Sequence, residues 1–137
     1  MNLSKTIALL AVLSNGMPAL AADDPFSGSA PLICAVTKTI TCSETESCTE
    51  GLAEQVNLPR FVTIDFSNQL VSAAWPADNR KTSKIVSAIN VSERLILQGV
   101  DADMAWSANI DKETGRIVVS HAGGNVGFLI FGACMPK

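Results

Sequence analysis

The sequence predicts an all-β domain, an antiparallel meander of about eight short strands that forms a small barrel or a sandwich and carries two disulfides. Three observations predict it. From Leu32 onward the chain is a succession of short runs rich in β-branched residues, each ended by a turn signal. No stretch repeats its apolar residues every 3.6 positions over ten residues. Four cysteines, an even number, follow a segment with the features of an export signal.

The first run, Leu32–Cys42, includes Ile33, Val36, Thr37, Thr39, Ile40 and Thr41. The polar loop Ser43–Ser47 follows, and Thr49–Pro59 reads as either a short strand or an irregular connection. Arg60–Phe66 alternates Val62, Ile64 and Phe66 with Thr63 and Asp65, the pattern of a half-buried strand. Ser67-Asn68 turns the chain back into Gln69–Ala74. Trp75-Pro76-Ala77-Asp78-Asn79 breaks the pattern. Lys84–Ile89 and Arg94–Val100 form a hairpin around Asn90–Glu93. Met104–Asp111 alternates most cleanly, with Met104, Trp106, Ala108 and Ile110 on one face and Ser107, Asn109 and Asp111 on the other. The turn Lys112–Gly115 has glycine in its last position. Arg116–His121 returns, Ala122–Asn125 turns, and Val126–Met135 is the last strand. That strand is apolar on both faces (Val126, Phe128 and Ile130 against Leu129 and Phe131), so pairing with the first strand would protect it and remove a sheet edge.

Ahead of these strands, Lys5 precedes the apolar run Ile7–Leu13, and Met17-Pro18-Ala19-Leu20-Ala21 ends in a small-x-small site. That order is the logic of a secretory signal peptide over residues 1–21, cleaved after Ala21, with the next residue as the second choice. A membrane span needs roughly 20 continuous apolar residues, and Asn15, Gly16 and Pro18 interrupt this run. No cysteine stands at the cleavage site for lipid attachment. Residues 22–31, with two prolines, a glycine, two serines and two aspartates, read as a flexible leader, and 32–137 as a single β domain. The expected location is the periplasm, or secretion.

Export would remove Lys5, one of ten basic residues, and leave thirteen acidic ones, a net charge of −4. A mildly acidic domain without a basic patch is a poor match for nucleic acid or anionic lipid. Arg80-Lys81-x-x-Lys84 reads as a solvated turn.

Cys34, Cys42, Cys48 and Cys134 allow three connectivities. A Cys42–Cys48 bridge would clip a hairpin, and the remaining Cys34–Cys134 bridge would join the first strand to the last. The intervening segments of seven, five and eighty-five residues do not match zinc-binding cysteine spacing, and a redox C-x-x-C is absent. Neither a metal nor a cofactor is expected.

No catalytic constellation stands out. His121 is the one histidine. Ser120 beside it points to the opposite sheet face, Ser107 and Asp111 lie on the neighbouring strand, and no G-x-S-x-G motif accompanies them. Asp101-x-Asp103 pairs two acids of the kind that bind calcium or act as acid and base, but a polar turn explains them equally. Gly123-Gly124-Asn125-x-Gly127 lacks the following helix that a phosphate cradle needs and suits a hairpin. Asn90-Val91-Ser92 matches a glycosylation sequon, of little meaning in bacterial export. Trp106 reads as core. Trp75, in a connection, is an interaction anchor if exposed.

The blocks Leu32-Ile33-Cys34-Ala35, Asn57-Leu58-Pro59-Arg60-Phe61, Leu95-Ile96-Leu97-Gln98-Gly99-Val100 and Gly127-Phe128-x-x-Phe131-Gly132-Ala133-Cys134 resemble those of small exported proteins of proteobacteria. The resemblance spans most of the chain after residue 21. It implies export and a β domain and supplies no activity and no functional residues. The order of elements is similar to that of small calycin-like barrels, which often hold a small apolar ligand.

The function expected is therefore binding without catalysis. One form is a small apolar ligand held inside or at the mouth of a barrel. It requires small inward side chains at one end, and a solid core of Val, Ile, Phe and Trp would remove it. The other is a protein-interaction module, such as a hydrolase inhibitor or an accessory subunit of a periplasmic complex, acting through the acidic loop that carries Glu44 and Glu46. The candidate binding residues are Trp75, Glu44, Glu46 and His121.

Overall fold

The computed structural model describes residues 23–75 and 77–137, the side chains of 77–80 excepted. The expected signal peptide over residues 1–21, and Pro76, lie outside the described residues. Among the described residues, nine strands form one antiparallel sheet: β1 (Leu32–Ser43), β2 (Thr49–Gly51), β3 (Phe61–Asp65), β4 (Leu70–Trp75), β5 (Ala77–Val91), β6 (Arg94–Asp101), β7 (Met104–Asp111), β8 (Arg116–Gly123) and β9 (Val126–Pro136). A 3-10 turn, Ala53–Val56, follows β2. From β3 to β9 each strand pairs with the next, β3 also pairs with β1, and β9 pairs with β1 as well. Eight strands thus close into a barrel, and β2 is an additional short strand at the edge of β1. Closure removes the two edges that an open meander would expose.

The closing ladder has eleven residue pairs, from Leu32 opposite Pro136 to Ser43 opposite Val126. Cys34 and Cys134 are direct partners in it and are disulfide-bonded across 100 residues of chain. Cys42–Cys48 clips the short connection between β1 and β2. Both bridges join the partners that the sequence suggested. All four cysteines are used, which indicates an oxidising, non-cytoplasmic setting. Among the described residues, no helix is long and apolar enough to cross a membrane.

β1 is long because it serves three neighbours. Its first half pairs with β3, its second half with β2, and its other side with β9 throughout. A bulge between Val36 and Lys38 lets it bend with the barrel wall. Further register shifts fall between Phe61 and Val62, between Ser72 and Ala73, and between Ile85 and Ser87. Such irregularities are how a sheet this small curves onto itself.

Tight turns join the strands at the end where β1 begins, here called the lower end. Asp65 accepts hydrogen bonds from the Asn68 side chain and backbone amide and organises the β3–β4 turn. Asp111 accepts from the Glu113 and Thr114 amides and pairs with Arg94. These bonds hold both carboxyls below their usual range, led by the Asn68 side chain for Asp65 and by the Thr114 amide for Asp111. Gly115 completes the β7–β8 turn with φ +69°, the left-handed conformation predicted by its position.

Two sequence-based expectations are corrected. Residues 22–31 were expected to be a flexible leader. From Asp23 onward that segment instead folds under the lower end. Phe26 is buried in the core, at 6% exposure. Asp24 accepts from the Phe26 amide and pairs with Lys112 at 2.9 Å, and Asn90 donates to the Ser27 carbonyl at 2.8 Å. The polar and turn-forming residues around Phe26 shape a plug, and one aromatic ring supplies its apolar contact. The second correction concerns Trp75–Asn79, read as a break. β5 starts at Ala77, seven residues before the Lys84 expected, with Ala74 opposite Ala77. The register then jumps from Ala73–Asp78 to Ser72–Thr82. The break does mark a boundary, since β4 ends at Trp75 and β5 begins at Ala77, but the residues after it form a large bulge inside β5 and not a connection.

The two bridges differ in the chain they constrain. In the loop-entropy relation, the 100-residue separation is worth about 4–5 kcal/mol and the six-residue one about 2 kcal/mol. Urea unfolding of Cys34→Ser/Cys134→Ser is expected to show the larger loss and Cys42→Ser/Cys48→Ser the smaller. Equal losses would contradict closure as the dominant constraint. Phe26→Ala is expected to cost about 3 kcal/mol in the same measurement. A loss below about 0.5 kcal/mol, the range of surface substitutions, would show that the plug is not part of the core.

Candidate functional site: the barrel cavity

The interior is divided by side-chain size. Its lower part is filled by Leu32, Ile64, Leu95, Leu97 and Ile110, all at or below 2% exposure, together with the Cys34–Cys134 bridge. Higher up, the inward residues become smaller: Val36 on β1, Val62 on β3, Ala73 on β4, Ser83 on β5, Ala108 on β7 and Val119 on β8. A cavity of about 360 Å³ lies among them. Ligand pockets begin at about this size. The exposed residues Asn57, Lys81 and Asp101 line its upper end, so it reaches the surface there.

Trp106 forms one wall. Its indole crosses β6 toward β5, and Nε1 donates to Ser83 Oγ at 2.7 Å. The crossing depends on Gly99, which faces Trp106 across the β6–β7 ladder. A Cβ at position 99 would lie 2.3 Å from Trp106 Cζ2 and 2.2 Å from the Lys84 carbonyl oxygen. Glycine is therefore required by space, not by φ. With the indole tied to Ser83, its bulk lies along the wall.

The rim is built by the segment after β2. The 3-10 turn ends at Asn57 in the left-handed conformation, φ 57°. Lys81 Nζ donates to the Asn57 backbone oxygen at 3.1 Å and to Oδ1 at 2.8 Å, tying β5 to this segment. Leu58 and Pro59 then line the cavity. The Arg60–Glu54 ion pair, Nε to Oε1 2.7 Å, joins the two sides of the turn. Both side chains are exposed, so its energetic value is small.

His121 is the polar residue in β8's share of the wall, above Ile117 and Val119. Its cross-strand partners are Trp106 on β7 and Phe128 on β9, with 6.2 Å between the His121 and Phe128 ring centroids. The imidazole lines the cavity, yet Nε2 is buried and has no hydrogen-bond partner. No triad forms around it among the described residues. Ser107 and Ser120 oppose each other one position along the ladder and so point to the other face, and Asp111 lies at the lower end with Arg94.

The other candidates are dispersed. Trp75 ends β4 and is 67% exposed, as an interaction anchor would be, but it does not line the cavity. Glu44 and Glu46 are exposed on the clipped loop, whose backbone is pinned by Glu44 N to the Asn125 oxygen and by Glu46 N to Ser43 Oγ. His121 is inside. The three features share the upper end but do not form one surface. Asp101 ends β6 and Asp103 lies in the two-residue turn with Ala102, φ 53°, and only Asp101 reaches the cavity. Gly124-Asn125 is the tip of the β8–β9 hairpin. Among the described residues, no group of three or more His, Cys, Asp or Glu is placed to hold a metal ion.

The signal for the cavity was the small inward residues, but which residues are inward near β1, β4 and β5 depends on bulges that the sequence does not mark. Comparison with known proteins found no matching family model, no matching curated protein and no matching solved structure.

Gly99→Ala is expected to cost about 2 kcal/mol or more by overpacking and to change the fluorescence of Trp106. Unchanged stability and emission would mean that the indole does not cross β6 at this glycine.

Proposed function

We propose that the protein is a periplasmic or secreted binding domain that holds a small, mainly apolar ligand in the upper half of its barrel. The observation that carries this reading is the change in interior packing. Close packing is the rule in protein interiors, and the lower half obeys it. The upper half leaves about 360 Å³ bounded mainly by Val, Ile, Leu, Ala and Trp side chains and reaching the surface. Small inward residues at one end are what a ligand-holding barrel requires. The disulfides and the core below keep the walls in place without a ligand, so little ordering cost falls on binding. The partner-binding alternative draws on Trp75, Glu44 and Glu46, which the fold leaves on separate parts of the upper end, and is the less supported reading.

Biphenyl, an apolar probe of suitable bulk, is expected to raise the unfolding free energy by about 2.7 kcal/mol when present at 100 times its Kd. Ala108→Phe places a ring in the cavity from a buried wall position. It should abolish the response while the protein still unfolds cooperatively. No stabilisation of the wild type, or an undiminished response in Ala108→Phe, would sink the proposal.

A further inference from the structure

We infer that the ligand is not wholly apolar: it carries one neutral hydroxyl that hydrogen-bonds His121 Nε2, on an apolar body of about twelve non-hydrogen atoms. This deepens the preceding reading and rests on it.

The size follows from the volume. An apolar protein cavity of about 150 Å³ accommodates one benzene. The present cavity, about 360 Å³, takes roughly two such groups, or a chain of similar bulk. That range excludes both a single small solvent-like molecule and a large lipid.

The hydroxyl follows from His121. Buried polar atoms are nearly always paired, and an orphan costs about 1–3 kcal/mol. Nε2 has no partner within the chain, and its ring is flanked by Trp106 and Phe128, which offer it no acceptor or hydroxyl. The Trp106 Nε1 donor is already committed to Ser83. A partner must therefore enter through the cavity that the ring lines. A modest turn about χ2, a soft torsion, presents Nε2 to that space. A neutral imidazole nitrogen either donates or accepts, and a hydroxyl does both, so the pair forms whichever tautomer is present.

The group is neutral because the walls are apolar. A carboxylate beside His121 would lose its hydration with no cationic side chain next to it, a cost that one hydrogen bond does not offset. Lys81 lines the rim, where its ammonium is already engaged with Asn57. The ligand class is accordingly a phenol or an alcohol of medium size.

The sequence contains a single histidine, so its imidazole nitrogen signals are unambiguous in a 15N spectrum. Biphenyl and 4-phenylphenol match in shape and differ by one hydroxyl. The wild type is expected to bind 4-phenylphenol about tenfold more tightly than biphenyl, and only the phenol should shift His121 Nε2 through a hydrogen bond. His121→Phe should erase the preference while keeping biphenyl binding, and His121→Gln should retain part of it. Should His121→Phe fail to fold, the wild-type preference and the Nε2 shift decide alone. Equal binding of the two probes with an unmoved Nε2 signal overturns the hydroxyl and leaves the cavity reading intact. Tighter binding of 4-phenylbenzoate than of 4-phenylphenol at pH 8 overturns the neutral class. Failure of both biphenyl and 4-phenylphenol to bind overturns this inference together with the reading it rests on.

Discussion

Everything in this structure depends on the pairing of β1 with β9. The two strands are about as far apart in sequence as the domain permits, and until they meet, the meander is an open ribbon with two exposed edges. Their meeting carries a large loop-closure cost, because ordering so much chain precedes the reward of contact. The Cys34–Cys134 bridge removes most of that cost by joining direct ladder partners. It also sits inside the barrel, where its sulfurs fill space between Leu32 and the apolar layer above. One covalent bond therefore acts on topology and on packing together.

Closure sets the direction of every side chain. Once β1 and β9 are in register, alternate residues of all eight strands must point inward, and the barrel bore limits what they can be. The lower bore is filled by Leu and Ile and stopped by Phe26 from the preceding segment. The upper bore contains smaller residues, so it remains hollow. Trp106 would fill much of that space in an inward rotamer. Gly99 and the bond to Ser83 lay it along the wall. The same segment that supplies the rim, from β2 to Pro59, stands where β3 is too short to pair with the upper half of β1. The entrance is a consequence of unequal strand lengths.

The stable part and the candidate binding part are thereby separated along one axis. The plug, the bridge and the capped turns of Asp65 and Asp111 stabilise the lower end. The upper end has the rim contact between Lys81 and Asn57, the local Cys42–Cys48 clip and an orphaned imidazole nitrogen. A polar atom left unpaired inside an otherwise satisfied core is a local departure from stability, and such departures gather where proteins bind.

Much of the architecture was legible in the sequence because it is encoded locally. Alternation in Met104–Asp111, the glycine of the β7–β8 turn and the small polar loop between Cys42 and Cys48 each act over a few residues, and each predicted its element. The disulfide partners followed from export chemistry and strand order. Other features were not legible, for an equally physical reason. Phe26 looks like part of a linker until the barrel end above it exists to receive the ring. The bulge between Asp78 and Thr82 reads as a break because its residues suit a turn, and only the pairing of Asp78 and Thr82 with β4 on either side of it keeps it inside a strand. Whether His121 is a core residue or a site residue depends on whether the space beside it is filled, and that is settled by side chains on seven other strands. The sequence by itself determined strands, turns and staples, all properties of neighbouring residues or of covalent chemistry. The plug, the hollow and the orphaned nitrogen were decided by the tertiary structure alone, because empty space belongs to no residue and arises only when the barrel closes.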